Sequence, residues 1–186
     1  MIKIKFLLSK IYRFFYPIDV VSMYKKMGVK IGDNCNFQNE VIIDHSHNWL
    51  IEIGNNVILA PRVHILAHDA STKIFLNYTR LGKVKIGDNV FIGAGAIILP
   101  GVEIGNNVVI GAGSVVTKSI PSDTVFSGNP AKLICTLSDF LEKHQNSMKV
   151  NPVYDESYTL RGNITESRKK EMIKEIVDLN KTAYVI

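Results

Sequence analysis

Cysteine is scarce in this chain: its 186 residues hold 2, Cys35 and Cys135. Two thiols so far apart form neither a disulfide framework nor a metal-ligand or redox motif. A reduced core thiol is the expectation for Cys35, and the cytoplasm is the expected compartment. Also lacking is any block of lysine and arginine of the kind that binds nucleic acid, since the net charge of +5 is mild and dispersed. No apolar run is long enough to cross a bilayer. The most apolar terminal stretch, residues 1–17, is interrupted by Lys3, Lys5, Lys10 and Arg13 and is followed by no small-residue cleavage site, which argues against a secretory signal as well. No serine or cysteine stands in a nucleophile motif, and no histidine lies between Asp69 and Lys143.

What the chain has instead is a period. Ile86, Ile92, Ile98, Ile104, Ile110 and Val116 follow one another at intervals of six. Four positions after each stands a smaller or β-branched residue: Val90, Ala96, Val102, Val108, Ser114 and Ile120. Neither the helical period of 3.6 nor the strand period of 2 gives this spacing. With Gly87, Gly93, Gly105 and Gly111 beside the aliphatics, it predicts an all-β parallel β-helix of hexapeptide repeats. Each hexad supplies a short strand and a turn, three hexads close one triangular coil, and Gly and Asn serve the corners because both tolerate positive φ.

The same period begins at Ile31 and runs through Phe37 and Ile43, slips by four residues over 45–50, and resumes at Ile53, Leu59 and Ile65. It breaks over residues 71–85, giving twelve hexads, or about four coils, in all. A solenoid expels extra residues only as a loop at a corner, so residues 71–85 are predicted to project as an arm. Phe75, Leu76 and Tyr78 on that arm need a cover, and a neighbouring subunit is expected to give it.

Three segments follow from this pattern: residues 1–27, 28–136 and 137–186. The first is expected to be a helical segment that either caps the open end of the coil or lies on a membrane surface. The last is expected to contain a helix over 137–145 with Ser138 as N-cap, a linker over 146–162, and an amphipathic helix over 166–181 carrying Met172, Ile173, Ile176 and Val177.

Residues 92–95 (Ile-Gly-Ala-Gly), Pro100-Gly101, residues 110–118 (Ile-Gly-Ala-Gly-Ser-Val-Val-Thr-Lys) and residues 128–132 (Gly-Asn-Pro-Ala-Lys) together resemble the left-handed β-helix acyltransferases. Among these the chain is most similar to the sugar O-acetyltransferases, both the galactoside and maltose enzymes and those of surface polysaccharide pathways. The resemblance covers residues 28–136. It implies a left-handed parallel β-helix, a homotrimer, and an acetyl-CoA site in the groove between adjacent prisms. The family's catalytic histidine, at the start of the arm, is matched by His68. Chemistry agrees on the residue type, because acyl transfer from a thioester to a hydroxyl needs a base that titrates near neutrality. Asp69 or another nearby carboxylate is expected to orient that imidazole. Asp44 matches the family's acceptor-binding carboxylate, and His45, His47 and His64 are candidates for lining the acceptor pocket. Phe91 matches a groove-wall aromatic, and its neighbourhood to Ala94 is expected to give an oxyanion donor. Ala94 and Ala112 match the small positions beside the pantetheine arm. Thr117, Lys118 and Lys132 match residues at the adenosine-phosphate end.

The resemblance thus implies an acetyl-CoA-dependent O-acetyltransferase acting on a sugar or glycan precursor, with no metal, no nucleic acid and a location in the cytoplasm or at the inner face of the membrane. An amine on an amino sugar is an alternative acceptor, because it calls for the same base and groove. A zinc protein resembling the γ-carbonic anhydrases is a further alternative, but its three histidine ligands have no full set here.

Overall fold

A computed structural model describes residues 19–178 and 182–186. The segment over residues 1–17, with its capping and membrane-surface readings, lies outside the described residues. Among the described residues no helix is long and apolar enough to cross a membrane.

Strands of two to four residues visit three parallel sheets in turn. The first face stacks Lys30–Ile31, Ile51–Ile53, Val84–Ile86 and Glu103–Ile104. The second stacks Asn36–Phe37, Ile58–Leu59, Val90–Ile92, Val108–Ile110 and Thr124–Ser127, with Lys132–Thr136 closing it antiparallel. The third stacks Ile42–Ile43, His64–Ile65, Ile97–Ile98 and Val115–Val116. This is a three-sided parallel coil. Its register places each aliphatic of the hexads over the one a turn earlier: Ile53 beside Ile86, Leu59 beside Ile92, Ile65 beside Ile98. All six of these side chains are buried in one continuous core. Each contributes roughly 1.5–3 kcal/mol from leaving water. The coil runs further than the hexads suggest, since Ile120 bridges to Ile104 and Thr124–Ser127 extends the second face.

The corners divide the work between Asn and Gly. Asn34, Asn56, Asn89, Asn107 and Asp123 all hold positive φ at the edge joining the first face to the second. The last four of these side chains form a ladder in which the Asn56 amide donates to Asn89 (3.0 Å), Asn89 to Asn107 (2.9 Å) and Asn107 to Asp123 (2.8 Å). The glycines beside the aliphatics serve a different need from the expected one. Gly87 is not among the positive-φ residues, but a Cβ there would lie 2.8 Å from the Gly105 carbonyl, so only glycine lets successive turns approach.

Helix α1, Val20–Met27, packs against the start of the coil. Asp19 caps it by accepting from the Ser22 N–H, and Gly28 ends it in the left-handed region. Its Tyr24 is 2% exposed, donates to the Val41 carbonyl and accepts from the Ile43 N–H, both at 3.1 Å.

The predicted arm is a short hairpin. His68–Asp69 pairs antiparallel with Arg80–Leu81, and helix α2, Lys73–Leu76, lies between them. Ile74, Phe75, Leu76 and Tyr78 are exposed on it. The first face already resumes at Val84, so the arm ends slightly earlier than the broken register suggests.

Residues 138–186 form a second compact unit. Helix α3 spans Leu137–Met148, so Ser138 lies inside it rather than at its N-cap, and the helix runs past the expected end at 145. The stretch expected to be linker is ordered. Val153–Tyr154 pairs in parallel with Tyr184–Val185, and Tyr154 donates to Glu175 at 2.6 Å. Helix α4 spans Glu166–Asp178, with Met172 and Ile176 half-buried and Ile173 and Val177 exposed.

Candidate active site

The edge between the third and first faces carries the chemistry. Each third-face strand ends there, and Asp44 and His68 follow two of those strands, Ile42–Ile43 and His64–Ile65. His68 Nδ1 lies 2.5 Å from Asp44 Oδ2. The Asp44 side chain is fully buried, while that of His68 is 34% exposed. One end of the imidazole is therefore anchored inside the protein while the ring reaches solvent.

Asp44 is held as a carboxylate. Burial alone would raise its pKa, but the His68 ring and the backbone N–H groups of Ala67, Ser46 and His47 all point at it, and together they hold it below the usual range. Ala67 donates at 2.9 Å, Ser46 at 2.9 Å and His47 at 3.1 Å. An ionised Asp44 can only accept, so His68 carries its proton on Nδ1. In the neutral imidazole this leaves the lone pair on Nε2, which is the tautomer a general base requires.

Of the orienting carboxylates expected, Asp69 or another nearby one, the structure favours the second, and this role replaces the acceptor-binding one expected of Asp44. Asp69 does not hold the imidazole; its carboxylate accepts from the Ser71 N–H at 2.9 Å. Adjacent strand residues point to opposite faces, so a carboxylate beside His68 in sequence faces away from its ring. Asp69 is instead held ionised by the Ser71 hydrogen bonds, with a smaller contribution from Arg80. Asp44, expected to touch an acceptor, is too buried for that and meets the histidine.

The other histidines separate. His47 comes to the dyad, its ring centroid 5.4 Å from that of His68 and 5.4 Å from that of the exposed Trp49. His45 instead stacks on Tyr24 at 6.1 Å. His64 sits within the third face, in register with Ile42 and Ile97.

Comparison with known proteins places this geometry. The bacterial transferase hexapeptide (six repeats) profile matches residues 83–118. Protein CapG of Staphylococcus aureus is 42% identical over 139 residues, spanning 68% of this chain and 79% of CapG. The solved structure of a galactoside acetyltransferase in complex with coenzyme A is 30% identical with a TM-score of 0.52, and the match covers 70% of this chain and 78% of that one. The chain belongs to the hexapeptide-repeat transferase family. A maltose O-acetyltransferase from Clostridium difficile 630 is 42% identical with a TM-score of 0.51, the match covering 59% of each chain.

In this hexapeptide-repeat transferase the residues matched to a cofactor groove fall on two separate edges and on the second face. Thr117 and Lys118 follow the third-face strand Val115–Val116, on the same edge as His68, and both are exposed. Phe91 is exposed on the second face, beside Ile58 and Val109. Ala94 and Ala112 lie at the edge between the second and third faces, where Gly113 N–H donates to the Ala94 carbonyl at 2.8 Å. Gly93 N–H, within the stretch expected to give an oxyanion donor, already donates to the Ile110 carbonyl at 2.8 Å. Lys132 is exposed on the antiparallel closing strand of the second face.

Two features escaped sequence reasoning: that Asp44 is the carboxylate partnering His68, and that Trp49 continues the row of rings beyond His47. The four-residue slip over 45–50 was their signal. Those extra residues form the turn that brings His47 and Trp49 to the dyad, with a 3-10 turn over Asn48–Leu50.

Proposed function

We propose that the chain is an acetyl-CoA-dependent O-acetyltransferase acting on a hydroxyl of a sugar or glycan precursor, with His68 as general base and Asp44 as the residue that positions it. The buried Asp44–His68 pair at an edge of the coil carries this reading. Support for the donor and acceptor comes from the relatives, one bound to coenzyme A and one named for maltose.

The reaction runs by direct transfer. The acceptor hydroxyl gives its proton to His68 Nε2 as its oxygen attacks the thioester carbonyl carbon. Asp44 offsets the charge of the resulting imidazolium through Nδ1. The tetrahedral intermediate collapses, the C–S bond breaks, and the coenzyme A thiolate takes the proton back from Nε2. No acyl-enzyme forms, in keeping with the lack of a nucleophile motif.

The coil is left-handed in this reading and the active unit is a homotrimer. Thr117 and Lys118 share an edge with His68, whereas Ala94 and Ala112 lie on the next edge. A groove taking one edge from each of two neighbouring copies unites the set. Exposed Phe75 and Tyr78 on the arm then gain the cover that a neighbour gives.

The test is sugar-dependent release of free thiol from acetyl-CoA by the wild type and His68→Ala. Loss of the base is expected to cut turnover by about 10²-fold or more. Undiminished turnover in the variant overturns the role of His68, and failure of the wild type to bind acetyl-CoA in calorimetry overturns the donor.

A further inference from the structure

The turn formed by the four-residue slip leaves an unexplained polar atom beside the dyad. His47 Nδ1 is buried and has no hydrogen-bond partner among the described residues. An unsatisfied buried nitrogen costs about 1–3 kcal/mol, and native proteins rarely keep one without a use. The same histidine belongs to a cluster: one ligand atom each from Asp44, His47 and His68 lie within 4.8 Å of one another. Two imidazoles and one carboxylate that converge in this way, next to solvent, form a three-ligand set with an open position.

We propose that Asp44, His47 and His68 form an inhibitory site for a borderline divalent cation, Zn²⁺ above all, that competes with acetyl transfer. This inference rests on the assignment of His68 as the base.

The cation takes the place of the proton that His68 Nδ1 shares with Asp44. Tetrahedral Zn²⁺ with bonds of 2.0–2.2 Å spaces its ligand atoms by about 3.3 Å, so the 2.5 Å Asp44–His68 contact has to open by under about 1 Å. The His68 ring, being partly exposed, has room to move. His47 exchanges an unsatisfied nitrogen for a metal bond. Asp44 keeps its backbone donors, so it stays ionised and fixed. The consequence for catalysis follows from imidazole chemistry. A neutral His68 bound to metal through Nδ1 carries its proton on Nε2, where it cannot accept another. Metal and base function therefore exclude each other. Without the cation, the same three residues leave His68 in the tautomer the reaction needs.

The experiment uses the full chain, freed of metal by chelator and dialysed. Zn²⁺ titration in a calorimeter is expected to give one site per chain, and Co²⁺ the visible absorption of a four-coordinate site with nitrogen and oxygen ligands. His47→Gln is expected to weaken Zn²⁺ binding by tenfold or more, while His45→Gln and His64→Gln bind as the wild type does. A measurement free of variants accompanies these: Zn²⁺ is expected to shield His47 and His68 from diethyl pyrocarbonate and to leave His45 and His144 reactive. Absence of a stoichiometric site, unchanged affinity in His47→Gln, or unchanged labelling of His47 and His68 overturns the site. Inhibition is read from the mass of the acetylated sugar, because the released thiol itself binds zinc. Full turnover with Zn²⁺ bound overturns the competition alone. If the metal-free wild type acetylates no sugar, the reading of the chain as a sugar acetyltransferase fails, and the binding and labelling arms still decide the site.

Discussion

At the scale of single residues, Asp44 makes a prediction that His68 alone does not. Asp44→Asn keeps an oxygen for the Ser46 and His47 N–H groups but turns an amide NH₂ toward Ala67 N–H and the imidazole. His68 is then pushed to carry its proton on Nε2, which removes the base while leaving the side chain in place. Turnover is expected to fall by about 10²-fold or more, as in His68→Ala, with the KM for acetyl-CoA unchanged. Stability has its own pH signature. The folded-state pKa of Asp44 is lowered, so the unfolded chain binds the proton more readily, and stability gained from this group rises with pH. That gain is fully present above the ordinary carboxylate pKa of about 3.9 and is lost as pH falls through the folded-state value. Asp44→Asn should therefore be less stable than wild type by about 2 kcal/mol at neutral pH, the difference shrinking in acid. Urea midpoints at pH 7 and pH 3.5 check it, and a gap that is constant with pH would contradict it. The histidine of this pair was singled out in the sequence by the family resemblance together with its place where the period breaks. Its partner was not, because the intervening slip hid which residue of the coil below would meet it.

At the scale of elements, the stacked corners separate two reasons for one residue. Asn89 has φ 56° and both accepts from Asn56 and donates to Asn107. Asn89→Gly keeps the backbone conformation and loses only the ladder bonds, an expected cost of under about 1 kcal/mol for an exposed pair. Asn89→Ala loses the same bonds and also places a Cβ in the left-handed region, adding about 1 kcal/mol. Ordering of the denaturation midpoints as wild type, Gly, Ala confirms that geometry as well as hydrogen bonding fixes the corner; equal midpoints for the two variants would remove the backbone argument. The faces were legible because every inward aliphatic repeats one turn later, and burial in a coil imposes that repeat on the sequence. Other elements left no such trace. Val153–Tyr154 and Tyr184–Val185 are two residues each and pair across a long interval, too little for any period to register. The glycines were legible as necessary for two reasons that leave the same letter in the sequence: Gly95, Gly101 and Gly113 hold the positive φ expected of a corner, whereas Gly87, Gly93, Gly105 and Gly111 are there for the close approach of two turns.

At the scale of the whole molecule, the question is whether one chain holds a complete site. His68 with Thr117 and Lys118 occupies one edge of the coil, and Ala94 with Ala112 another, so under the proposed function each chain offers two half-sites. In a closed ring of three such chains, every groove is made from unlike edges of two neighbours. Two variants expose this. His68→Ala disables the first edge, and Ala112→Trp fills the second with a side chain that blocks the pantetheine path. Each alone is expected to be inactive as a homotrimer with a mass three times the 20.8 kDa chain, measured by light scattering. Unfolded together in equal amounts and refolded, the two form mixed rings. A groove is intact when it pairs the first edge of the Ala112→Trp chain with the second edge of the His68→Ala chain. Random assembly makes that about a quarter of all grooves. Recovery of roughly that share of wild-type turnover places the site between subunits. If every groove were built within one chain, no mixed ring would contain an intact site and activity would stay at zero, whereas activity in either variant before mixing would show that its edge does not belong to the groove.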